Sequence, residues 1–329
     1  MQDRAPSVCN ESAAVLTSAQ FLESMGLPGV DLWSLPDSAK RFPDGCHYRL
    51  EIPSTEGPRC LEAVIEAGEW LGVPIHRVSQ GSGVYMLTDS ELDQMVVLGS
   101  AKAVEVSLFA RPDAASDASA MARSDGGSAV GAAARGQAQL AFALDDIRRA
   151  ADHGIRSVLV SDIGVLAAFS AMRGAGLVPG DMQAKVSVML PVANAAAASV
   201  IERLGAGTIN LATDLTLAQI AAIRQAVDVS LDIYVEVPDT IGGFSRLHEI
   251  PDLIRIAAPV YLKFGVRNAP NIYPAGGHLE GAAIALSRER VRRARLGMEM
   301  LYRNRFAENL RMSQVGAIGH ALPQPHGSE

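Results

Sequence analysis

The sequence predicts an α/β fold in which eight strands alternate with helices and close into a (β/α)8 barrel. Eight short segments rich in Val, Ile and Leu recur along the chain at a nearly constant spacing. Most of them are separated by an amphipathic stretch of about 10–15 residues, which suits a helix crossing between two parallel strands. Several segments also carry charged residues at alternate positions, which predicts a TIM-type barrel with a polar interior.

The predicted strands follow one another in chain order, and signals for helix starts lie between them. Thr88 and Glu91 have the capping-box spacing, as do Thr216 and Gln219, so each pair predicts the first turn of a helix. The stretch 58–71 places its aliphatic side chains on one helical face. The strands are expected at 47–52, 75–80, 103–109, 157–162, 184–189, 208–213, 230–237 and 260–266.

A single domain is expected. At 329 residues and 48% hydrophobic content, the chain can bury a large core, and the uniform repeat favours one barrel over two domains. Residues 1–40 are expected to form an N-terminal cap on the bottom of the barrel, and residues 41–311 the barrel itself. Residues 312–329 are expected to form a frayed tail or an arm that contacts another subunit.

A long loop follows strand 3. Residues 110–136 are dominated by Ala, Ser, Gly and Asp, and the strand spacing nearly doubles there. Because the loop leaves the end of the barrel where active sites of this fold lie, it predicts a lid from which Arg111 reaches the substrate on closure. A mobile insertion without ligand contact is the alternative.

Composition excludes several classes of partner. The net charge of −7 gives no general attraction to nucleic acid or to an anionic membrane surface. No stretch approaches 18 apolar residues and no signal-peptide pattern opens the chain, so a cytoplasmic protein is expected. The cysteines form neither a disulfide framework nor a metal motif. The last helix carries a basic face, which is interpreted as exposed to solvent or as a contact surface in a homo-oligomer. This face consists of Arg288, Arg290, Arg292, Arg293 and Arg295.

Strand alternation assigns the polar residues to the barrel interior. A strand covered by helices is apolar on its outer face, so 230–237 should turn Asp232, Tyr234 and Glu236 inward. The same reasoning turns inward Arg49, Glu51, Arg77, Ser79, Glu105, Ser107, Lys185, Ser187, Asn210, Tyr261 and Lys263. Charges near the strand starts are interpreted mainly as a structural network of ion pairs.

Residues near the strand ends are the candidates for catalysis, because active sites of this fold lie at the C-terminal face. We predict Glu51, Asp162, Glu236 and Lys263 as catalytic residues, with structural pairing as the alternative for each. Gln80 at the end of strand 2 is expected to bind substrate together with Tyr234.

The loops after strands 7 and 8 add candidate ligand-binding groups. Gly242 and Gly243, with Arg267 and Asn268, are expected to hold a phosphate or carboxylate, although plain turns would explain the glycines equally well. His278 is expected to contact substrate, as a general base or as part of a metal set with nearby carboxylates. No cofactor is predicted. A divalent metal is possible, although no HxH or HExxH spacing supports one.

Three short motifs carry a resemblance to a known family. They are SDIGVL at 161–166, the helix from Asn194 that leads to LGAGTINLA at 204–212, and DLTLAQIAAI at 214–223. Over this region the chain resembles the U32 peptidases, also called collagenase-like peptidases, whose catalytic domain is a barrel.

The chain departs from the family pattern at two places. Thr213 and Asp214 stand where the family has Arg and Glu, and PDTIGGFSR at 238–246 replaces the cysteines that follow strand 7 in members with an iron–sulfur cluster. The resemblance therefore does not imply cluster chemistry, and it implies a hydrolase in name only.

The leading expectation is an enzyme for a small polar or anionic substrate. Glu51 and Glu236 would act as acid and base or as metal ligands, while Lys263 and Arg267 hold the charge of the substrate. A lyase or isomerase of a keto acid or sugar is the first alternative, with Lys263 or Lys185 forming a Schiff base. A non-catalytic binding protein is the second, and it predicts mutually paired charges without an open pocket at the strand ends.

Overall fold

The eight repeated segments form a closed barrel of parallel strands, in which each strand pairs with its neighbours along the chain and β1 pairs with β8. The (β/α)8 barrel is therefore confirmed. The computed structural model describes residues 16–112, 132–303, 307–316 and 321–325. The strands are β1 Tyr48–Pro53, β2 Arg77–Ser79, β3 Glu105–Phe109, β4 Ser157–Val160, β5 Gln183–Val186, β6 Thr208–Asn210, β7 Ser230–Glu236 and β8 Val260–Phe264.

Helices cover the outer face of the barrel. They are α1 Ser18–Ser24, α2 Pro58–Leu71, α3 Asp89–Ala101, α4 Gly136–Asp152, α5 Ile163–Gly174, α6 Ala195–Arg203, α7 Leu217–Ala226, α8 Ile250–Ala257 and α9 Glu280–Tyr302. Both predicted capping boxes are present, since Thr88 and Glu91 pair reciprocally at the start of α3, and Thr216 and Gln219 at the start of α7. No helix in the described ranges is long and apolar enough to cross a membrane.

The N-terminal segment differs from the cap expected over the bottom of the barrel. Leu32 donates its backbone N–H to Ala218 in the first turn of α7, and Ser38 donates to Arg255 near the end of α8. The described residues before Ser38 thus run along the helix layer, because Leu32 and its apolar neighbours pack against the main core there. The segment reaches the bottom of the barrel around Phe42, whose ring meets that of Tyr261 at 5.4 Å between centroids.

The described C-terminal residues pack across the bottom of the barrel rather than fraying from it. Met312 bridges Tyr48 at the start of β1, and Ser313 donates its backbone N–H to the carbonyl of Tyr48 at 3.1 Å. Gln324 then donates to the carbonyl of Gly154 at 2.8 Å. The φ of Gly154 is +100°, and a Cβ there would lie 1.9 Å from the carbonyl oxygen of Gln324. We call the described residues of 307–325 the C-terminal strap.

Candidate functional site

Six charged side chains meet in the middle of the barrel. Because alternate residues of a strand face the same way, six different strands can each send one charge inward at nearly the same height. Register places Glu51 beside both Arg77 and Lys263, as the alternation predicts. We call these residues the central cluster, and each is at most 3% exposed: Glu51, Arg77, Glu105, Lys185, Asp232 and Lys263.

Glu51 is the centre of this cluster. One carboxylate oxygen accepts a hydrogen bond from Arg77 Nε at 2.7 Å, and the other accepts from Ser79 Oγ at 2.7 Å. The second oxygen also contacts Lys185 Nζ and lies 3.3 Å from Lys263 Nζ. Burial alone would raise the pKa of Glu51, but the charges of Arg77 and the two lysines outweigh it and hold the pKa well below its usual range.

Arg77 links Glu51 on β1 to Asp232 on β7. Its Nη2 atom lies 2.6 Å from Glu51 Oε2 and 2.5 Å from Asp232 Oδ1. The guanidinium also stacks on the ring of Tyr261, with Cζ 3.5 Å from the centroid. Thr208 completes the environment of Asp232 by donating Oγ1 to Oδ1 at 2.7 Å. The charges near the strand starts thus form the ion-pair network that the sequence suggested.

The two lysines differ in their surroundings although both contact Glu51. Burial, together with the nearby positive charge of Arg77, lowers the pKa of Lys185 to about 7 against the attraction of Glu51. Lys263 lies over the ring of Tyr234, with Nζ 4.4 Å from the centroid. With the amide of Asn210 oriented to satisfy both of its ends, its oxygen accepts from Lys263 Nζ at 2.9 Å. The Lys185 amine can therefore lose its proton near neutral pH.

Side chains from several strands narrow the mouth of the barrel above the cluster. Ala132 is 1% exposed and packs with Phe109, Leu159 and Met189 on one side of the mouth. Tyr234, which is 8% exposed, lies on the other side. The lid predicted between strands 3 and 4 falls largely on 113–131, outside the described residues.

Asp162 and Gln80, both predicted from strand ends, hold loops in place. Asp162 caps α5, since Oδ1 accepts the backbone N–H of Val165 at 2.9 Å, while Oδ2 accepts that of Ala134 at 3.0 Å. Gln80 donates Nε2 to the carbonyl of Gly83 at 2.8 Å and accepts the N–H of the same residue at 3.1 Å. Neither side chain reaches the central cluster through these bonds.

Glu236 does not face the lumen, which corrects the orientation expected from alternation. The register between β7 and β8 shifts between Tyr234 and Glu236, so Glu236 lies opposite Phe264, an outward residue whose ring packs beneath α9. Its carboxylate accepts the backbone N–H of Arg267 at 2.8 Å and lies 3.4 Å from Arg293 Nε on α9. The bulge has turned this carboxylate away from Glu51.

The anion site predicted after strands 7 and 8 already contains a carboxylate of the chain. Arg267 Nη2 lies 3.1 Å from Asp239 Oδ1, and the backbone N–H of Asn268 donates to Oδ2 of the same residue. Gly242 and Gly243 have φ values of +130° and +67° in the turn beside Asp239. These four predicted residues are thus brought together, with the Asp239 carboxylate as their anion.

The remaining predicted residues lie at the rim. Arg111 donates Nη1 to the carbonyl of Gly81 at 3.1 Å, which ties the end of strand 3 to the loop after strand 2. His278 is exposed in the loop before α9, where the neighbouring Glu280 pairs with Arg59 at 2.5 Å. Within the described ranges, no three His, Cys, Asp or Glu side chains are placed to hold a metal ion.

Sequence reasoning did not predict the burial of two residues at the rim, Arg290 and Glu56. Arg290 is 4% exposed and donates Nη1 to the carbonyl of Ser54 at 3.2 Å, so it is not part of a solvated basic face. Its helical spacing from Ser287 and Ala283, both buried, was the available signal. Glu56 accepts the backbone N–H and the hydroxyl of Ser82 at 3.0 and 2.5 Å.

Comparison with known proteins agrees with the resemblance seen in the sequence. The model of peptidase family U32 matches residues 130–237, about a third of the chain, and confirms that this region is U32-like. No curated protein matches. The structure of the U32 peptidase Mk0906 is 18% identical and covers 86% of this chain and 90% of its own, with a TM-score of 0.39.

Two solved barrels of other enzyme classes are similar to this chain, with TM-scores close to that of the U32 peptidase structure. The YdjI aldolase from Escherichia coli K12 is 16% identical, covers 77% of this chain and 91% of its own, and has a TM-score of 0.44. A truncated 3-deoxy-D-arabino-heptulosonate 7-phosphate synthase from Thermotoga maritima is 15% identical, covers 84% and 95%, and has a TM-score of 0.43. At these scores the argument for function depends on the central cluster itself.

Proposed function

We propose that this U32-like barrel is an enzyme that uses a buried lysine to act on a small polar carbonyl compound, as a lyase or isomerase of a keto acid or sugar. The observation that supports this most directly is the pKa of Lys185, which burial and neighbouring cations lower to about 7. A lysine with an ordinary pKa is almost wholly protonated at neutral pH and is a poor nucleophile. A desolvated lysine beside other cations is the arrangement that nature uses to make the amine reactive.

The chemistry follows from the neutral amine. Nζ of Lys185 adds to the carbonyl carbon of the substrate, and the two amine protons leave with the carbonyl oxygen as water. The imine nitrogen takes a proton from the Lys263 ammonium and becomes cationic. The cationic imine then accepts the electron pair of an adjacent C–C or C–H bond as that bond breaks. Glu51 contacts both lysines and can pass the proton between them.

The position of Lys263 supports an anionic substrate. Lys263 is the register partner of Tyr234 on β7, and its ammonium lies over the ring of Tyr234, with Nζ 4.4 Å from the centroid. A substrate entering past Tyr234 would meet this ammonium before it reaches Lys185. Because Lys185 has no exposed surface, we expect the Tyr234 side of the mouth to open before the reaction.

Trapping with borohydride tests the proposal. The protein is incubated with pyruvate and, separately, with dihydroxyacetone phosphate, and the imine is reduced to a stable secondary amine. We expect the mass of one reduced adduct on the protein, and peptide mapping should place it on Lys185. Lys185→Met should abolish it, whereas Lys102→Met, at an exposed position on the outer surface, should leave it unchanged. A negative result with every carbonyl compound tried, or adducts spread over exposed lysines, would reject the proposal.

The mutual pairing of the six charges favours a second candidate, a binding protein built on a barrel scaffold. Three carboxylates face three cations, so the cluster can be neutral without any ligand. This reading predicts no imine with any carbonyl compound and a stability effect alone when a lysine is replaced. The hydrolase expectation depends on the family name and remains a prediction.

A further inference from the structure

A cavity of about 300 Å³ opens on the bottom of the barrel, at the end opposite the mouth. Its volume falls at the lower end of the range for small-molecule sites. The cavity lies at the strand starts, and its walls include residues from six strands and the segment before β1. Those that matter here are Arg41, Arg49, Arg77, Glu105, Gln183 and Ser230.

Aromatic side chains hold Arg49 in a fixed position in the wall of this cavity. The guanidinium of Arg49 lies over the ring of Phe42, with Cζ 4.0 Å from the centroid, and Arg49 is 5% exposed. On the other side, Arg49 Nη1 donates to the hydroxyl of Tyr261 at 3.2 Å. A guanidinium fixed by a ring on one side and a hydroxyl on the other presents its planar set of donors in one orientation, which suits oxygen anions as partners.

The carboxylates of the cavity wall are already engaged. Glu105 accepts the hydroxyl of Ser157 at 2.6 Å and that of Tyr261 at 3.4 Å. Asp228 pairs with Lys40 at 2.8 Å. Glu105 also lies 3.9 Å from Arg77 Nη1, so the ion pairs of these two acids are made with Arg77 and Lys40 and not with Arg41 or Arg49.

Two guanidinium groups keep unused donors. Arg49 Nη2 makes no hydrogen bond within the described ranges, although it forms a long ion pair with the partly exposed carboxylate of Asp44 at 3.6 Å. Arg41 is exposed and donates Nη1 to the carbonyls of Ser38 and Lys40, at 2.7 and 2.6 Å. A nearly buried cation without a hydrogen bond on one of its nitrogens is costly, and an anion in the cavity would relieve that cost.

We infer that this lower cavity binds a small anion through its phosphate or carboxylate oxygens. Arg49 and Arg41 supply the charge, and Gln183 with Ser230 supply polar contacts at the starts of β5 and β7. Lys185 and Lys263 do not line this cavity, although Arg77 and Glu105 belong both to its wall and to the central cluster. The inference therefore stands whether or not Lys185 forms an imine.

Calorimetric titration with two probes tests this site. Inorganic phosphate and succinate are titrated separately into the full chain at constant ionic strength, with chloride as the blank. We expect saturable binding of at least one probe, and which of the two binds more tightly identifies the anionic group. Arg41→Gln should weaken binding roughly tenfold, the effect of losing one charge-assisted hydrogen bond.

The controls separate the site from general charge effects. Arg59→Gln removes an exposed arginine of the opposite rim and should leave the affinity unchanged. Arg49→Gln should weaken binding more than Arg41→Gln does, and its thermal unfolding is recorded in parallel. If Arg49→Gln does not fold, the exposed Arg41→Gln still decides the question. Absence of saturable binding, or an affinity that Arg41→Gln leaves intact, would overturn the inference.

Discussion

Replacing Lys185 with Met should change how the stability of the protein depends on pH. Met has nearly the length of Lys and lacks its charge, so the lumen stays filled while the titrating amine is removed. In the folded protein Lys185 loses its proton near pH 7, whereas in the unfolded chain it stays protonated up to its ordinary value of 10.5. Between these values the unfolded chain holds the extra proton, so raising the pH favours the folded state.

The size of the effect follows from the width of that window. Each pH unit within it contributes about 1.4 kcal/mol, so Lys185 accounts for roughly 5 kcal/mol of stability gained between about pH 7 and pH 10.5. Since the side chain has no exposed surface, solvent screening does not reduce this value appreciably. Between pH 7 and pH 9, the free energy of unfolding of the wild type should rise by about 2 kcal/mol more than that of Lys185→Met, because the folded amine is already half deprotonated at pH 7.

Urea unfolding followed by circular dichroism at pH 7, 8 and 9 measures this difference. Groups that titrate in both proteins cancel when the two curves are subtracted. Lys102→Met serves as a control, because its ammonium is half exposed and pairs with Glu69 on the surface. Parallel curves for the wild type and Lys185→Met would show that the amine keeps an ordinary pKa, and the imine proposal would lose its nucleophile.

Three further substitutions test other parts of the structure. Glu51→Gln removes the shared partner of three buried cations and should lower the free energy of unfolding by about 3–5 kcal/mol, measured by urea unfolding at pH 7. Gly154→Val should lower the free energy of unfolding by at least about 2 kcal/mol, because its side chain would clash with the C-terminal strap and its backbone would be strained at a positive φ. Glu236→Gln should leave the yield of the borohydride adduct unchanged, because its carboxylate faces α9.

Each of these three substitutions has either a control variant or an outcome that would contradict the expectation. Glu69 is an exposed acid, so Glu69→Gln should change the free energy of unfolding by less than about 1 kcal/mol. If Glu51→Gln lowered the free energy of unfolding by no more than Glu69→Gln does, the buried ion pairs of Glu51 would contribute nothing to stability. Gly176 has a φ of +72° with open space around it, so Gly176→Val isolates the backbone cost from the clash with the strap. A lost adduct in Glu236→Gln would return that residue to the mechanism.

The barrel and its charged lumen could be read from the sequence because both depend on local periodicity. A two-residue alternation within each strand was enough to turn Glu51, Arg77 and Lys185 inward. The strand ends were less informative, since a polar residue there serves equally to cap a helix or to hold a turn. Asp162 and Gln80 do this in the structure, and nothing in their own segments distinguishes this role from catalysis.

Features that depend on two elements at once could not be predicted. The bulge that turns Glu236 outward is a register shift between β7 and β8, and neither strand encodes it alone. The burial of Arg290 requires the end of β1 to lie beneath α9. The lower cavity combines side chains from strands and connections that are far apart along the chain, so only the closed barrel shows that Arg49 and Gln183 share one space.

The C-terminal strap has a consequence for the order in which the protein matures during synthesis. Arg49 and Ser313 form a hydrogen bond although 264 residues separate them. All eight strands leave the ribosome before Ser313 does, so the newly closed barrel has an open lower end beneath its buried charges. Contacts between such distant residues form slowly, and we expect the last step of folding to be the docking of this segment after its translation.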